Sequence, residues 1–174
     1  MNHAAVAPLS GPACEAICAF AQDVAQNSMA HFRAWNELVR EARRSAARLI
    51  GAEPEEIAFL KNTTDGIIAV AEGLDWRPGD NVVLASCEFP ANVYPWLNLA
   101  SRGVEIRWVD ACAGRLPVEA YAAAMDSRTR VLTASAVQFH SGFRSDLGGL
   151  SELCRQHGAL FVVDGIQSVG ALPM

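Results

Sequence analysis

The sequence predicts an α/β protein, a mostly parallel sheet with flanking helices, and three observations carry that prediction. Short apolar runs recur from residue 57 onward: Ile57-Ala58-Phe59-Leu60, Val82-Val83-Leu84-Ala85, Val104-Glu105-Ile106-Arg107-Trp108-Val109, Arg130-Val131-Leu132-Thr133-Ala134 and Ala159-Leu160-Phe161-Val162-Val163. They are near-continuously apolar and rich in β-branched residues, the pattern of strands buried on both faces. Between them lie Thr64 to Leu74, Ala91 to Ser101, Val118 to Met125 and Asp146 to His157, each long enough for a crossover helix. The resulting βαβαβαβαβ order implies parallel strands joined by right-handed crossovers. Finally, 51% of the 174 residues are hydrophobic and 19% charged, enough apolar material for one domain with a real core.

Before the first run, Asn2 to Ser10 is small and irregular and is broken by Pro8. Two helices follow, Pro12 to Gln26 and His31 to Ile50, the second with Trp35, Leu38, Val39, Ala42, Ala46 and Leu49 at helical spacing. Arg40, Arg43, Arg44 and Arg48 lie between those positions as a solvated or partner-facing side. Gly51 is placed to end that helix in the left-handed conformation. Pro78-Gly79-Asp80 and His157-Gly158 are turns that feed strands. No repeat, low-complexity tract or long linker interrupts the chain.

The formal net charge of −5 argues against nucleic acid, which selects basic faces, but a small anion needs only a local positive site. The five cysteines, Cys14, Cys18, Cys87, Cys112 and Cys154, are scattered and odd in number. Cys14 and Cys18 lie one helical turn apart with no histidine pair at metal spacing. The set is therefore read as buried free thiols in a reducing compartment, with no metal site. No run of about 18 apolar residues predicts a membrane span, and no basic segment followed by an apolar stretch predicts a signal peptide. Cytoplasm is the expectation.

In an open α/β sheet, ligands bind beyond the carboxyl ends of the strands, so the residues after each run are the candidates. Lys61-Asn62-Thr63-Thr64-Asp65-Gly66 brings two hydroxyls to the start of a helix, where free N–H groups and the dipole favour phosphate; a plain threonine N-cap is the alternative. Ser86-Cys87-Glu88-Phe89-Pro90-Ala91-Asn92 offers Phe89 as a ring that stacks on a flat ligand or joins the core. Ser135-Ala136-Val137-Gln138-Phe139-His140-Ser141-Gly142 clusters polar groups at a strand end, and His140 alone reads as a surface histidine. Val163-Asp164-Gly165-Ile166-Gln167-Ser168 sets a carboxylate after four apolar residues, where its charge is penalised unless a cation lies beside it. A protonated pyridine nitrogen would satisfy Asp164, with Gln167 offering an amide to the same ligand; a helix N-cap accounts for the aspartate but not for the glutamine. An anion site, an aromatic plate, a polar clamp and a carboxylate on one sheet edge suit a flat, phosphorylated, nitrogen-bearing cofactor. An unrelated dinucleotide binder is disfavoured, since no G-x-G-x-x-G follows the first run.

The order and spacing of Asn62-Thr63-Thr64-Asp65-Gly66, Glu88-Phe89-Pro90-Ala91-Asn92 and Val162-Val163-Asp164-Gly165-Ile166-Gln167-Ser168-Val169-Gly170 resemble the class V aminotransferase superfamily, which includes cysteine desulfurases, selenocysteine lyases, kynureninases and isopenicillin-N-epimerase-like proteins. The likeness runs from Asn2-His3-Ala4-Ala5-Val6-Ala7-Pro8-Leu9 to Gly170-Ala171-Leu172-Pro173. It implies the large domain of a fold-type-I enzyme dependent on pyridoxal 5′-phosphate (PLP), with residues 1–50 as an N-terminal helical segment and 51–174 as a partial PLP-binding domain. By the resemblance, Thr63 and Thr64 match the phosphate-binding turn, and Phe89 matches the ring that stacks on the pyridine. Many relatives, cysteine desulfurases among them, carry histidine there, so Phe89 points to the epimerase-like or general aminotransferase branch. Gln138 matches a polar position near the cofactor's 3′-oxygen, Gln167 a donor to that oxygen, and Asp164 the carboxylate that keeps the pyridine protonated.

The family's Schiff-base lysine lies in a Ser-x-His-Lys-like stretch about two dozen residues after that aspartate, whereas the sequence runs ten residues past Asp164 and its only lysine is Lys61. The expectation is a fragment without the Schiff-base lysine, the small domain or the late strands of the sheet, inactive by itself and ending in an unpaired strand edge. Its parent would act at the Cα of an amino acid by transamination, elimination or epimerisation, as a homodimer. A non-catalytic remnant that binds PLP weakly, or serves only as an interaction surface, is the alternative.

Overall fold

The computed structural model describes residue 4 and residues 6–173; Asn2, His3 and Ala5 of the N-terminal stretch lie outside the described residues. The chain divides into two compact units, one reaching to Ala58 and the other spanning Phe59–Leu172.

The first unit is helical. Helix α1, Gly11–Asn27, starts at Ser10, whose hydroxyl accepts from the Ala13 N–H at 3.4 Å. Helix α2, Phe32–Ile50, ends at Gly51 with φ 69°, the predicted left-handed cap. Asp23 ties the two together, accepting from the Trp35 indole at 3.0 Å and lying 2.7 Å from His31. Phe20 packs edge-on to Trp35 with centroids 5.1 Å apart. Yet α1 buries no residue and α2 only Ala47, and Leu38, Val39 and Leu49 at the helical spacing are exposed. The reading of the cysteines as buried is corrected for three of them. Cys14 and Cys18 are exposed on α1, and Cys112 sits in a surface turn; Cys154 is buried and Cys87 half-buried.

The second unit holds a sheet of four parallel strands, β1 Asn81–Ala85, β2 Glu105–Val109, β3 Thr129–Ser135 and β4 Leu160–Asp164, in the order β2-β1-β3-β4. Helices α3 Thr63–Gly73, α4 Tyr94–Leu97, α5 Val118–Ala124 and α6 Leu147–His157 flank it. Every residue of β1 is buried, as the continuous apolar run predicts for a central strand. Side chains alternate: Val82, Leu84 and Val131 pack with Ile67, Ala71, Trp96 and Leu99 on one face. Val83, Ala85, Leu132 and Ala134 pack with Tyr121, Leu150 and Cys154 on the other. Gly79 and Gly103, with φ 85° and 76°, turn the chain into β1 and β2 and are joined by a 2.7 Å backbone hydrogen bond.

Two predicted elements differ. Ile57-Ala58-Phe59-Leu60 is extended at Ile57 but is not a strand, because no described strand lies beside it; Phe59 and Leu60 are exposed. The stretch from Ala91 to Ser101 is not one long helix. The short α4 sits between 3₁₀ turns at Pro90–Asn92 and Asn98–Arg102, with Pro90 and Pro95 each near the start of a new turn, where proline is tolerated.

Candidate functional site

The carboxyl ends of β1, β3 and β4 gather most of the candidate residues. Asp164 closes β4, buried to 5% exposure, in register with Ser135. No helix follows it, so it is not an N-cap; its Oδ1 accepts from the Ile166 N–H at 3.0 Å, a tight local turn. Burial pushes its carboxyl above the usual range; the Ile166 N–H opposes this and the negative Glu88 adds to it. Among the described residues no cationic side chain pairs with Asp164. Half-buried Gln167 lies in the turn three residues on.

Asp164 shares a cleft of about 580 Å³ with Thr63, Gly66 and Ile67 of α3, together with Val162, Gly165, Ile166 and Val169. Thr63 is the first residue of α3, and the N-cap is Asn62 instead of a threonine. The Asn62 carbonyl side chain accepts from the Asp65 N–H at 2.9 Å. The structure separates the two threonines, since Thr64 lines a second groove with Ile68, Glu72, Tyr94 and Asn98. Lys61 is exposed, lies 3.3 Å from Asp65, and does not line the cleft.

Phe89 stands 42% exposed beyond β1, its ring edge-on to Phe139 with centroids 5.1 Å apart. Gln138 is 1% exposed. Its Nε2 donates to Glu88 Oε1 at 2.7 Å, and its Oε1 lies 4.0 Å from the Cys87 thiol. Burial, with Glu88 adding, pushes that thiol's pKa up.

Sequence reasoning passed over Glu88, the hub of this edge. Buried at 6% exposure, its carboxylate accepts from the Ser135 N–H at 2.8 Å, the Ser135 hydroxyl, the Gln138 amide and Asn92 Nδ2 at 3.1 Å. Asn92 Oδ1 in turn accepts from Thr133 Oγ1 at 2.7 Å and from the Trp96 indole at 3.3 Å. The signal was present as a charged residue three positions after an apolar strand, with an amide four positions further on. Among the described residues no group of three or more metal-ligating side chains forms, and no helix is long and apolar enough to cross a membrane.

Comparison with known proteins gives a consistent picture. The family model of Aminotransferase class-V matches residues 2–174. A probable cysteine desulfurase of Methanothermobacter thermautotrophicus is 38% identical over 133 residues, 76% of this chain and 33% of its own. A cysteine desulfurase of Salmonella newport is 38% identical over 141 residues, 76% of this chain and 34% of its own. The chain thus spans about a third of the length of these curated relatives. The solved complex of the cystine C-S lyase C-DES with its product cysteine persulfide superposes with a TM-score of 0.88 at 28% identity, covering 95% of this chain and 46% of that one. A mutant of C-DES with glycine covalently linked to its PLP cofactor superposes at 0.86 and 28% identity, with the same coverage.

Proposed function

The chain belongs to the class V aminotransferase family, whose members are PLP-dependent enzymes of fold type I, and on that premise we propose that it forms the PLP-binding face of an enzyme acting at the Cα of an amino acid. The observation that carries the reading is Asp164, a buried carboxylate with no cationic side chain beside it among the described residues, on one cleft with the start of α3. Such a group is stabilised by a protonated ring nitrogen, and the residues present therefore fit the cofactor. When bound, PLP supplies an electron sink for the pair left on a substrate's Cα.

The chain's own residues take distinct parts in that reading. Asp164 holds the ring nitrogen's proton, and its low-dielectric surroundings strengthen the pairing. Thr63 and the free N–H groups of the first turn of α3 take the phosphate, with Thr64 at the adjoining position; Lys61 offsets the charge that Asp65 adds there. Phe89 stacks on the ring, and a phenyl group at this position has no proton to hold or move. Of the two amides assigned to the 3′-oxygen, Gln138 is engaged by Glu88 and faces the Cys87 thiol, and Gln167 is half-buried in the turn after Asp164. Transamination, elimination and epimerisation all share this half of the chemistry.

A second reading is a chain that holds PLP without turnover; Lys61 is exposed and lies outside the cleft. Titrating PLP into the full chain, with its visible absorption as readout, tests the common ground. Asp164→Ala is expected to weaken binding about ten- to a hundredfold, the range for a hydrogen bond to a charged group. Equal affinity of the two, or no binding by the unmodified chain, overturns the reading. Exchange of the Cα hydrogen of added amino acids with deuterated water then separates the enzyme from the non-catalytic holder.

A further inference from the structure

Two loops at the carboxyl edge touch at two successive levels. The first leaves β1 and carries Cys87, Glu88 and Phe89. The second leaves β3 as a small hairpin, closed by the Val137–Arg144 bridge and by the Gln138 N–H donating to the Phe143 carbonyl at 2.9 Å. At the buried level Glu88 accepts from Gln138; one residue further out, Phe89 meets Phe139 at an interplanar angle of 81°. Phe139 is in turn edge-on to His140 at 5.3 Å.

The buried level is costly to build. A carboxylate out of water needs its lone pairs filled, and an apolar residue would hold the loop without that demand. Glu88 satisfies the demand with donors from its own loop, from the end of β3 and from the hairpin that follows β3. Such a network fixes one relative placement of the two loops and excludes others. The outer level uses two aromatic rings that are each 42% exposed. An edge-on neighbour restrains Phe89 without covering both faces of its ring, and edge-to-face geometry is directional where aliphatic packing is not.

We propose that Glu88 and Phe139 are positioning residues that form a two-level clasp, holding the Phe89 ring in the orientation in which it stacks on a flat cofactor. The clasp rests on the reading of Phe89 as the stacking ring. Glu88 acts from below through Gln138 and Asn92, and Phe139 acts at the surface. Neither touches the reacting atoms.

The test titrates PLP into the full chain and follows both affinity and the visible circular dichroism of the bound cofactor, a signature that reports ring orientation. Phe139→Leu, exposed and of similar bulk, is expected to weaken binding about three- to tenfold and to shrink the visible dichroism, with the thermal midpoint unchanged. Phe139→Tyr is expected to restore both. Glu88→Gln, which keeps the shape and removes the charge, is expected to weaken binding roughly tenfold with the same spectral change. Wild-type affinity and dichroism in both Phe139→Leu and Glu88→Gln, while Phe89→Leu loses them, overturn the clasp alone. No effect of Phe89→Leu overturns the stacking role and the clasp with it, and no PLP binding by the unmodified chain overturns the whole reading.

Discussion

At the amino end of the strands, Asp126 accepts from Asn81 Nδ2 at 2.9 Å and from the Arg128 N–H at 2.8 Å, and it lies 2.6 Å from the Arg107 guanidinium. Asp80 there accepts from the Arg77 N–H and faces Arg130 at 3.9 Å. At the carboxyl end, Glu88 and Asp164 are as buried as any acid in the chain, yet no described cation pairs with either. The first arrangement is complete as it stands and serves the fold. The second leaves Asp164 with a charge that burial opposes, and the proposed cofactor site rests on that difference.

The largest effect is expected at the lock. Asn81 is fully buried, donates to Asp126 and accepts from Thr129 Oγ1 at 2.7 Å. Asn81→Ala removes both bonds, one of them to a carboxylate, so a loss of about 3 kcal/mol is expected, read from urea unfolding. A loss well under 1 kcal/mol would put the lock elsewhere.

The two ends should also respond to pH with opposite sign. Hydrogen bonds from Asn81 and the Arg128 N–H, with help from Arg107, hold the Asp126 carboxyl down at about 2, against 3.8 for a free aspartate. Its contribution is complete above the free value and disappears as pH falls from there towards 2. Asp164 is raised by burial. The folded chain therefore holds its proton more tightly than the unfolded chain, and stability falls as pH rises through the raised value. Asp164→Asn should increase the urea midpoint of the unliganded chain at pH 7 while weakening PLP binding. A decrease in that midpoint would move Asp164 into the structural class.

What the sequence could reveal follows the same division. Local pattern identified β1 to β4, the cap at Gly51, the turn at His157-Gly158, and Asp164 at the end of β4, because periodicity and turn chemistry are local signals. The strand assigned to Ile57–Leu60 failed because a strand exists only with a neighbour, and none is described beside it. Thr63 and Thr64 stand together at the start of α3 in the resemblance, while successive helical residues are offset by about 100° and the two line different grooves. Glu88 was missed as a hub because Ser135 and Gln138 lie 47 and 50 residues away along the chain. A single sequence does not say which of its many polar residues converge.

The smallest effect sharpens the comparison most. Thr133 is fully buried on β3, and its hydroxyl donates to Asn92 Oδ1 at 2.7 Å. Thr133→Val keeps the shape and removes one neutral donor, so it should cost about 1 kcal/mol. Asn92 remains held by the Trp96 indole and still donates to Glu88. Because Thr133, Asn92, Glu88 and Gln138 form one connected chain, Thr133→Val and Glu88→Gln should fail to add by about 0.5 kcal/mol or more in a double-mutant cycle. Thr133 pairs in register with Leu84, three residues along β1 from Asn81, a separation of about 10 Å. Thr133→Val and Asn81→Ala should therefore add to within about 0.5 kcal/mol. Coupling between the two ends instead would mean that the lock sets the geometry of the site, and that the sheet transmits what its side chains keep apart.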